Sequence, residues 1–213
     1  MEITWYGHCC FRLRTKGCAV VCDPFPPELG YRLPRLTANI VTVSHDHPEH
    51  NYLAAVRNPY YAITGPGEYE VAGTFVIGVA TDEPPYPSDG HGRNTAYLIE
   101  AEDMTVCHLG HMRQPPTQAQ IEQFDGVDIL LLPVGGRTSL SPARAVETVN
   151  LLEPSIVIPM YYRIADLETQ LGTVTRFLNE MGVKHAEEME SLTVTKSQLG
   201  EETRVVIVKP KRA

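Results

Sequence analysis

The sequence predicts a layered α/β protein with two sheets. Short apolar or alternating runs, separated by turn residues, fill the first half of the chain. In the second half, strand-like runs alternate with helical patterns, as in proteins with a partly parallel sheet. The 213 residues contain no internal repeat, low-complexity tract or long linker, so we expect a single domain over residues 1–213.

Strands are expected wherever four to eight residues are β-branched, apolar or alternating and are bounded by turn residues. The run 40–43 is compact and β-branched, which is typical of a strand buried on both faces. The tail reads as a final hairpin of 192–194 and 205–208. The other strong candidates are 1–5, 9–13, 18–22, 74–80, 95–100, 104–109, 127–132 and 155–160.

Three helices are expected in the second half. Thr117 and Gln120 have the spacing of a capping box and predict a helix to Phe124. Ser141 followed by Pro142 opens a second helix, which runs to about residue 152. A third is predicted from Asp166, because a stripe with helical spacing ends at a glycine that can close a helix. That stripe and its glycine are Leu167, Leu171, Val174, Leu178, Met181 and Gly182.

Composition narrows the class of protein. Asp and Glu outnumber Lys and Arg by 26 to 18, and the net charge of −8 argues against nucleic acid as a partner. No run approaches the ~20 apolar residues of a membrane span, and the N-terminus lacks the pattern of a signal peptide. Five cysteines is an odd number, so we expect reduced thiols, no role in metal binding and a cytoplasmic protein.

A histidine-rich segment follows the predicted strand 40–43. Three of the chain's 8 histidines (His45, His47 and His50) lie here with Asp46 and Glu49. In an extended loop, His45 and His47 point the same way, and imidazole is a common ligand for zinc and similar metals. Adjacent carboxylates serve as ligands, anchors or bases. The alternative is a solvated loop with a chance cluster, but the crowding favours a metal site.

Two further strand ends carry candidate groups. His111 follows Gly110 on the loop after strand 104–109, so it is a candidate ligand, whereas His108 is expected to be a hydrogen-bonded core histidine. Tyr161 follows strand 155–160 and could direct its hydroxyl into the same cleft, or merely cover the sheet edge. Loop 81–93 and the segment 137–139 are expected to border the cleft.

Nearly the whole chain resembles the metallo-β-lactamase-fold hydrolases, specifically a group of small zinc-dependent hydrolases distantly related to ascorbate-6-phosphate lactonases. The resemblance implies a four-layer αβ/βα sandwich with its site at one edge, between two sheets. The segments that carry it are 5–11, Asp23-Pro24, 44–50, 65–71, 92–95, 107–110, 133–136 and 158–160.

The metal ligands of that family are only partly present. Its motif His-x-His-x-Asp-His is matched by three histidines, with Glu49 in place of the aspartate. The resemblance implies a further His near residues 82–83, where none occurs. It also implies a bridging aspartate where His111 stands and a final His where Tyr161 stands.

These substitutions favour a single-metal or otherwise altered site. We expect one Zn²⁺, with Mn or Fe as alternatives, at a site formed by His45, His47, His50 and His111. Of these, His45, His47 and His111 could hold one tetrahedral ion, with water in the fourth position. Three imidazoles and a water form a known catalytic zinc pattern, and Glu49 could then accept a proton from that water or orient His50. Tyr161 is expected to contact the substrate.

Two functions remain open from the sequence. The first is a metal-dependent hydrolase that acts on a small-molecule ester, lactone or phosphoester. The second is a catalytically inactive member of the fold, retained as a small-molecule-binding or interaction protein. The sequence determines neither the substrate nor the oligomeric state.

Overall fold

The structure, a computed structural model, describes residues 1–30, 32–81, 93–165 and 170–212. Two mixed sheets face each other, and a small two-stranded sheet lies apart from them. The strands are β1 (Glu2–Trp5), β2 (Phe11–Arg14), β3 (Ala19–Cys22), β4 (Leu36–Thr37), β5 (Ile40–Thr42), β6 (Val56–Arg57), β7 (Tyr61–Ile63), β8 (Gly67–Val71), β9 (Thr74–Ala80), β10 (Thr95–Ala101), β11 (Met104–His108), β12 (Ile129–Pro133), β13 (Ile156–Met160), β14 (Glu187–Met189), β15 (Leu192–Thr193) and β16 (Arg204–Val208).

The first sheet has the order β15-β1-β2-β3-β5-β7. Its first four strands are antiparallel to their neighbours, and β3, β5 and β7 are parallel to one another. The second sheet has the order β14-β16-β13-β12-β11-β10-β9-β8. Strands β11 to β14 and β16 pair in parallel there, while β8, β9 and β10 pair antiparallel at the other end.

The main core lies between the two sheets and contains inward-facing residues of both, such as Trp5, Phe11, Tyr97 and Leu131. Three α-helices are described: α1 (Gln118–Gln123), α2 (Pro142–Leu152) and α3 (Val174–Glu180). A second apolar cluster, which includes Tyr6, Phe25 and Val41, lies outside the first sheet. The fold class predicted from the sequence is confirmed, with 3₁₀ turns and the β4–β6 pair contributing to the outer layer.

Two predicted elements are wrong. The third helix begins at Val174 with Thr173 as its N-cap, although a start at Asp166 was expected. Residues 166–169 lie outside the described residues, and the next stretch is held by main-chain bonds to other loops: the amide of Gly172 donates to the carbonyl of Gly135. Leu171 is therefore buried without being helical.

The tail does not form a hairpin. Strand β15 pairs with β1 in the first sheet, whereas β16 pairs with β13 and β14 in the second. Apolar alternation marks both segments as strands but carries no information about their partners.

Strand direction brings several loops to one edge of the sandwich. Strands β3 and β5 are parallel, and so are β11, β12 and β13, so the loops after each set leave from the same edge of their sheet. Strand β10 is antiparallel to β11, which places Asn94 beside the end of β11. No helix among the described residues is long and apolar enough to span a membrane.

Candidate metal centre

Three buried imidazoles converge at this edge. His45 and His50 belong to the loop after β5, and His111 belongs to the loop after β11. Each offers a ring nitrogen within 4.8 Å of those of the other two. Their exposures are only 3%, 0% and 0%. Residues from both sheets therefore form one compact group of nitrogen donors.

Asp23 organises the first-sheet side of this group. It follows β3, has no exposed surface, and its Oδ1 accepts a hydrogen bond of 2.7 Å from the amide of Ser44. Its Oδ2 accepts 2.6 Å from the Ser44 hydroxyl and lies 2.9 Å from Nδ1 of His50. One buried carboxylate thus fixes both the loop backbone and an imidazole.

These bonds determine which nitrogens carry protons. Because Asp23 is a carboxylate, Nδ1 of His50 donates to it, which leaves Nε2 of that ring as the acceptor. The single hydroxyl proton of Ser44 goes to Asp23, so Nδ1 of His45, at 2.9 Å, donates to Ser44 Oγ. Both rings then present Nε2 as the basic atom, the arrangement that orients metal-binding histidines.

His111 is positioned through its main chain. Its amide donates to Asn94 Oδ1 at 2.7 Å, and the Asn94 amide group donates to Leu109 O at 3.0 Å. Gly110 between them has φ +58°, and a Cβ there would lie 2.4 Å from Cβ of Ser44. Only glycine lets the second-sheet loop pass this close to the first-sheet loop.

His8 is a fourth imidazole in the cluster. It lies in the turn between β1 and β2 with φ +53°, is 1% exposed, and its Nε2 is 3.2 Å from Nε2 of His50. Oε2 of the half-buried Glu49 lies 3.6 Å from Nε2 of His8. His8, Glu49 and His50 form a second group of donors within 4.8 Å of one another.

Cys9, Asp23 and His50 also fall within ligand distance of one another. Burial, reinforced by the nearby Asp23, holds the pKa of the Cys9 thiol well above its usual value. A protonated thiol is a poor ligand, and Asp23 already binds Nδ1 of His50. The imidazole groups are therefore the better sites.

The donor set fits a divalent metal ion. Burial, together with the neighbouring histidines, lowers the pKa of His50 well below its usual value, so this ring is neutral at pH 7. Neutral imidazoles with the remote nitrogen anchored are typical zinc-type ligands, and a fourth position can be left to water or substrate. The described residues thus hold a chemically suitable three-nitrogen group.

The protein has clear relatives. Residues 2–161 match the family model described as the β-lactamase superfamily domain. A Thermotoga maritima protein, whose crystal structure is described as that of a candidate Zn-dependent hydrolase of the metallo-β-lactamase superfamily, is 35% identical. The match covers 97% of each chain, with a TM-score of 0.82. The chain belongs to the metallo-β-lactamase superfamily.

Curated relatives within the superfamily carry more specific descriptions. A UPF0173 metal-dependent hydrolase of Methanopyrus kandleri is 27% identical over 86% of this chain and 94% of its own length. Another, from Desulforamulus reducens, is 27% identical over 80% of this chain and 88% of its own.

The structure separates the histidines that were predicted as ligands. His45, His50 and His111 come together, but His47 lies outside that group. It is partly exposed, and its ring centroid is 5.8 Å from that of His45. The loop is not extended, because the amide of His47 bonds back to the carbonyl of His45 at 2.9 Å. The expectation that these two side chains point the same way assumed an extended loop, and the two rings lie nearly parallel, with 20° between their planes.

Tyr161, where the superfamily has a histidine, lies against the cluster. It is 4% exposed, and its ring centroid is 5.0 Å from that of His111 and 4.7 Å from that of His8. Burial raises the pKa of its phenol well above the usual value, so the hydroxyl is protonated and is a weak ligand at neutral pH. The expected position near residues 82–83 lies outside the described residues.

Sequence reasoning missed four residues of this centre: His8, Asp23, Ser44 and Asn94. All four stand in segments that carried the family resemblance, but none had been given a role at the site. His108, in contrast, is the core histidine that was predicted. Its Nε2 lies 2.8 Å from Cys9 O, and Nδ1 accepts from the amide of Gly110 at 3.2 Å.

Proposed function

We propose that the protein is a metal-dependent hydrolase with one Zn²⁺ held by His45, His50 and His111. The observation that carries this is the convergence of three buried ring nitrogens within 4.8 Å. The descriptions of the relatives as metal-dependent hydrolases support the same class. Mn²⁺ or Fe²⁺ are the alternative ions, because both accept imidazole or carboxylate ligands.

The substrate class we propose is a small ester, lactone or phosphoester in the cytoplasm. A divalent ion held by these histidines would supply Lewis-acid polarisation and acidify water. Glu49, which is half-buried beside His8, would accept the proton of the attacking water. Asp23 and Ser44 hold His50 and His45 in the required tautomers, and the Tyr161 hydroxyl contacts the substrate as a hydrogen-bond donor.

The net charge of −8 supports a small molecule over nucleic acid as the substrate. A non-catalytic binding protein is the second candidate, because the buried Tyr161 replaces a superfamily ligand. The two candidates differ in one measurable property, which is turnover that depends on the bound metal.

The test combines zinc stoichiometry with hydrolysis of p-nitrophenyl acetate, a γ-lactone and bis-p-nitrophenyl phosphate. We expect about one tightly bound Zn²⁺ per chain, turnover of one of these substrates, and loss of both after chelation. His111→Gln should abolish tight binding. His185→Gln is the matched control, because it makes the same chemical change at an exposed histidine that lies far from the site in sequence.

Each result decides between the candidates. Zinc binding without turnover on any of the three substrate classes would favour the binding protein. No zinc binding by the folded protein, or equal loss in His111→Gln and His185→Gln, would contradict the proposed centre itself.

A further inference from the structure

A cavity of about 280 Å³ lies on the outer side of the first sheet. Two segments form its walls. The segment that follows β3 supplies Phe25, Arg32 and Arg35, and the segment that follows the histidine-rich loop supplies Tyr52 and Ala55. Ligand pockets span roughly 300–1,000 Å³, so a cavity of this volume suits a small molecule.

Main-chain hydrogen bonds tie the two walls together at both ends. Before the lining residues, the amide of Tyr52 donates to the carbonyl of Pro24 at 2.8 Å. After them, β4 and β6 pair in parallel, with Leu36 opposite Val56. The ring of Phe25 is only 1% exposed and belongs to the second apolar cluster. The shape of the cavity is therefore set by the fold itself.

The charge at this cavity is positive and uncompensated. Arg32 and Arg35 are exposed, and neither side chain has a hydrogen bond or an ion pair with any residue that the structure describes. No carboxylate occurs among the described lining residues. Arg14 on β2, by contrast, pairs with Glu2 at 2.6 Å. In a chain with a net charge of −8, two guanidinium groups without acidic partners mark a local site for an anion.

The chemistry of the lining indicates which anion fits. A guanidinium group donates two parallel hydrogen bonds to a phosphate or a carboxylate, and two such groups match the charge of about −1.5 to −2 that a phosphate monoester carries at pH 7. The rings of Phe25 and Tyr52 offer an apolar wall to the organic part of the ester. Arg35 also borders a neighbouring depression with Arg57, which extends the positive surface.

We propose that this cavity binds a phosphate monoester with a small apolar or aromatic group, and that Arg32 and Arg35 hold its phosphate. The site is separate from the proposed metal centre, because none of the three histidines of that centre lines the cavity. Phe25 lies between the two, since its ring packs edge-on against that of His8 at 6.1 Å. Binding therefore needs no metal, and its failure would leave the proposed function intact.

Calorimetric titration of the metal-free full chain with phenyl phosphate tests the site. Arg32→Gln and Arg35→Gln should each weaken binding about tenfold or more, because each removes charge-assisted hydrogen bonds to the phosphate. Both arginines are exposed, so neither change should disturb the fold. Arg176→Gln is the matched control, since it removes the same charge from an exposed position on α3, away from the cavity lining, and it should leave the affinity unchanged.

Two further probes test the class of ligand. Benzoate has one negative charge and inorganic phosphate has no ring, so both should bind the parent protein more weakly than phenyl phosphate does. No binding of phenyl phosphate, unchanged affinity in both cavity variants, or an equal loss in Arg176→Gln would overturn the site. Tighter binding of benzoate or of inorganic phosphate would overturn the assignment of a phosphate monoester.

Discussion

The two sheets contribute to the centre in different ways. On the first-sheet side, Asp23 and Ser44 hold the ligand side chains themselves by hydrogen bonds to the rings of His50 and His45. On the second-sheet side, Asn94 accepts a hydrogen bond from the main-chain amide of His111, and Tyr161 is placed by the hydrogen bond that its amide donates to the His8 carbonyl.

This difference can be compared with the positions at which the chain departs from its family. The three matching histidines (His45, His47 and His50) all lie on the first-sheet side, where the rings of His45 and His50 are fixed by Ser44 and Asp23. Two departures, His111 and Tyr161, lie on the second-sheet side, whereas a third, Glu49, lies in the first-sheet loop itself.

Asp23→Asn tests the side-chain network and should have the largest effect. The variant places an amide opposite the Ser44 amide and the Nδ1–H of His50, so at least one buried donor loses its acceptor. We expect roughly 2–4 kcal/mol less stability and about 10–100-fold weaker zinc binding. Chemical denaturation of the metal-free protein and calorimetry measure the two effects.

Asp46→Asn is the matched control for this prediction. Asp46 lies in the same loop, but it is exposed and bonds to the Asn51 side chain at 2.6 Å. Its loss should cost less than about 0.5 kcal/mol and leave zinc affinity unchanged. Similar losses in both variants would show that the loop, rather than the buried carboxylate, organises the first-sheet side.

Gly110→Ala tests the main-chain arrangement on the second-sheet side. The added Cβ would meet Cβ of Ser44 at 2.4 Å in a residue with φ +58°. Gly126→Ala carries similar backbone strain, with φ +73°, but its Cβ would meet nothing within 4 Å. The difference in the free energy of unfolding between the two variants therefore isolates the clash. We expect Gly110→Ala to be about 1–3 kcal/mol less stable than Gly126→Ala. Equal urea concentrations at the midpoint of unfolding for the two variants would contradict the close contact between the loops.

The double variant His111→Asp with Tyr161→His tests whether the second-sheet side remains shaped for a two-metal site. A carboxylate can bridge two cations and offset their repulsion, and histidine tolerates the left-handed backbone at residue 161, where φ is +53°. We expect zinc stoichiometry to rise above that of the parent in calorimetric titrations. If both proteins are folded and the stoichiometry is equal, the cleft has been remodelled beyond its ligands.

Convergence of the centre could be predicted because strand ends in parallel sheets share an edge, and the motifs at 44–50 and 108–111 both follow strands. The place of His47 depends on the local backbone. Alternation of side chains assumes an extended chain, whereas the amide of His47 bonds back to the His45 carbonyl at 2.9 Å and makes the loop turn.

The residues that were missed act through partners distant in sequence. Asp23 and His50 are 27 positions apart, and His8 and His50 are 42 apart, so no local pattern reveals either contact. The predicted third helix starts only at Val174 for a similar reason, because Gly172 bonds through its main chain to Arg163 and Gly135 rather than within a helix. The spacing of residues within one segment contains no information about hydrogen bonds to distant segments.

The smallest effect concerns the thiols, which lie in both sheets and near both sides of the centre. All five cysteines are free and buried. Burial raises the pKa of Cys107, and it raises that of Cys22 to about 12. These groups stay protonated in the folded protein, while their unfolded forms ionise near pH ~8.5. Their contribution to stability is therefore present below about pH 8 and is lost as the pH rises above it. The urea concentration at the midpoint of unfolding should fall between pH 8 and 10.

The number of free thiols is a separate test. A thiol reagent should find five thiols after unfolding but react slowly with the native protein. A count of three or one would show disulfides and contradict the cytoplasmic location that we propose.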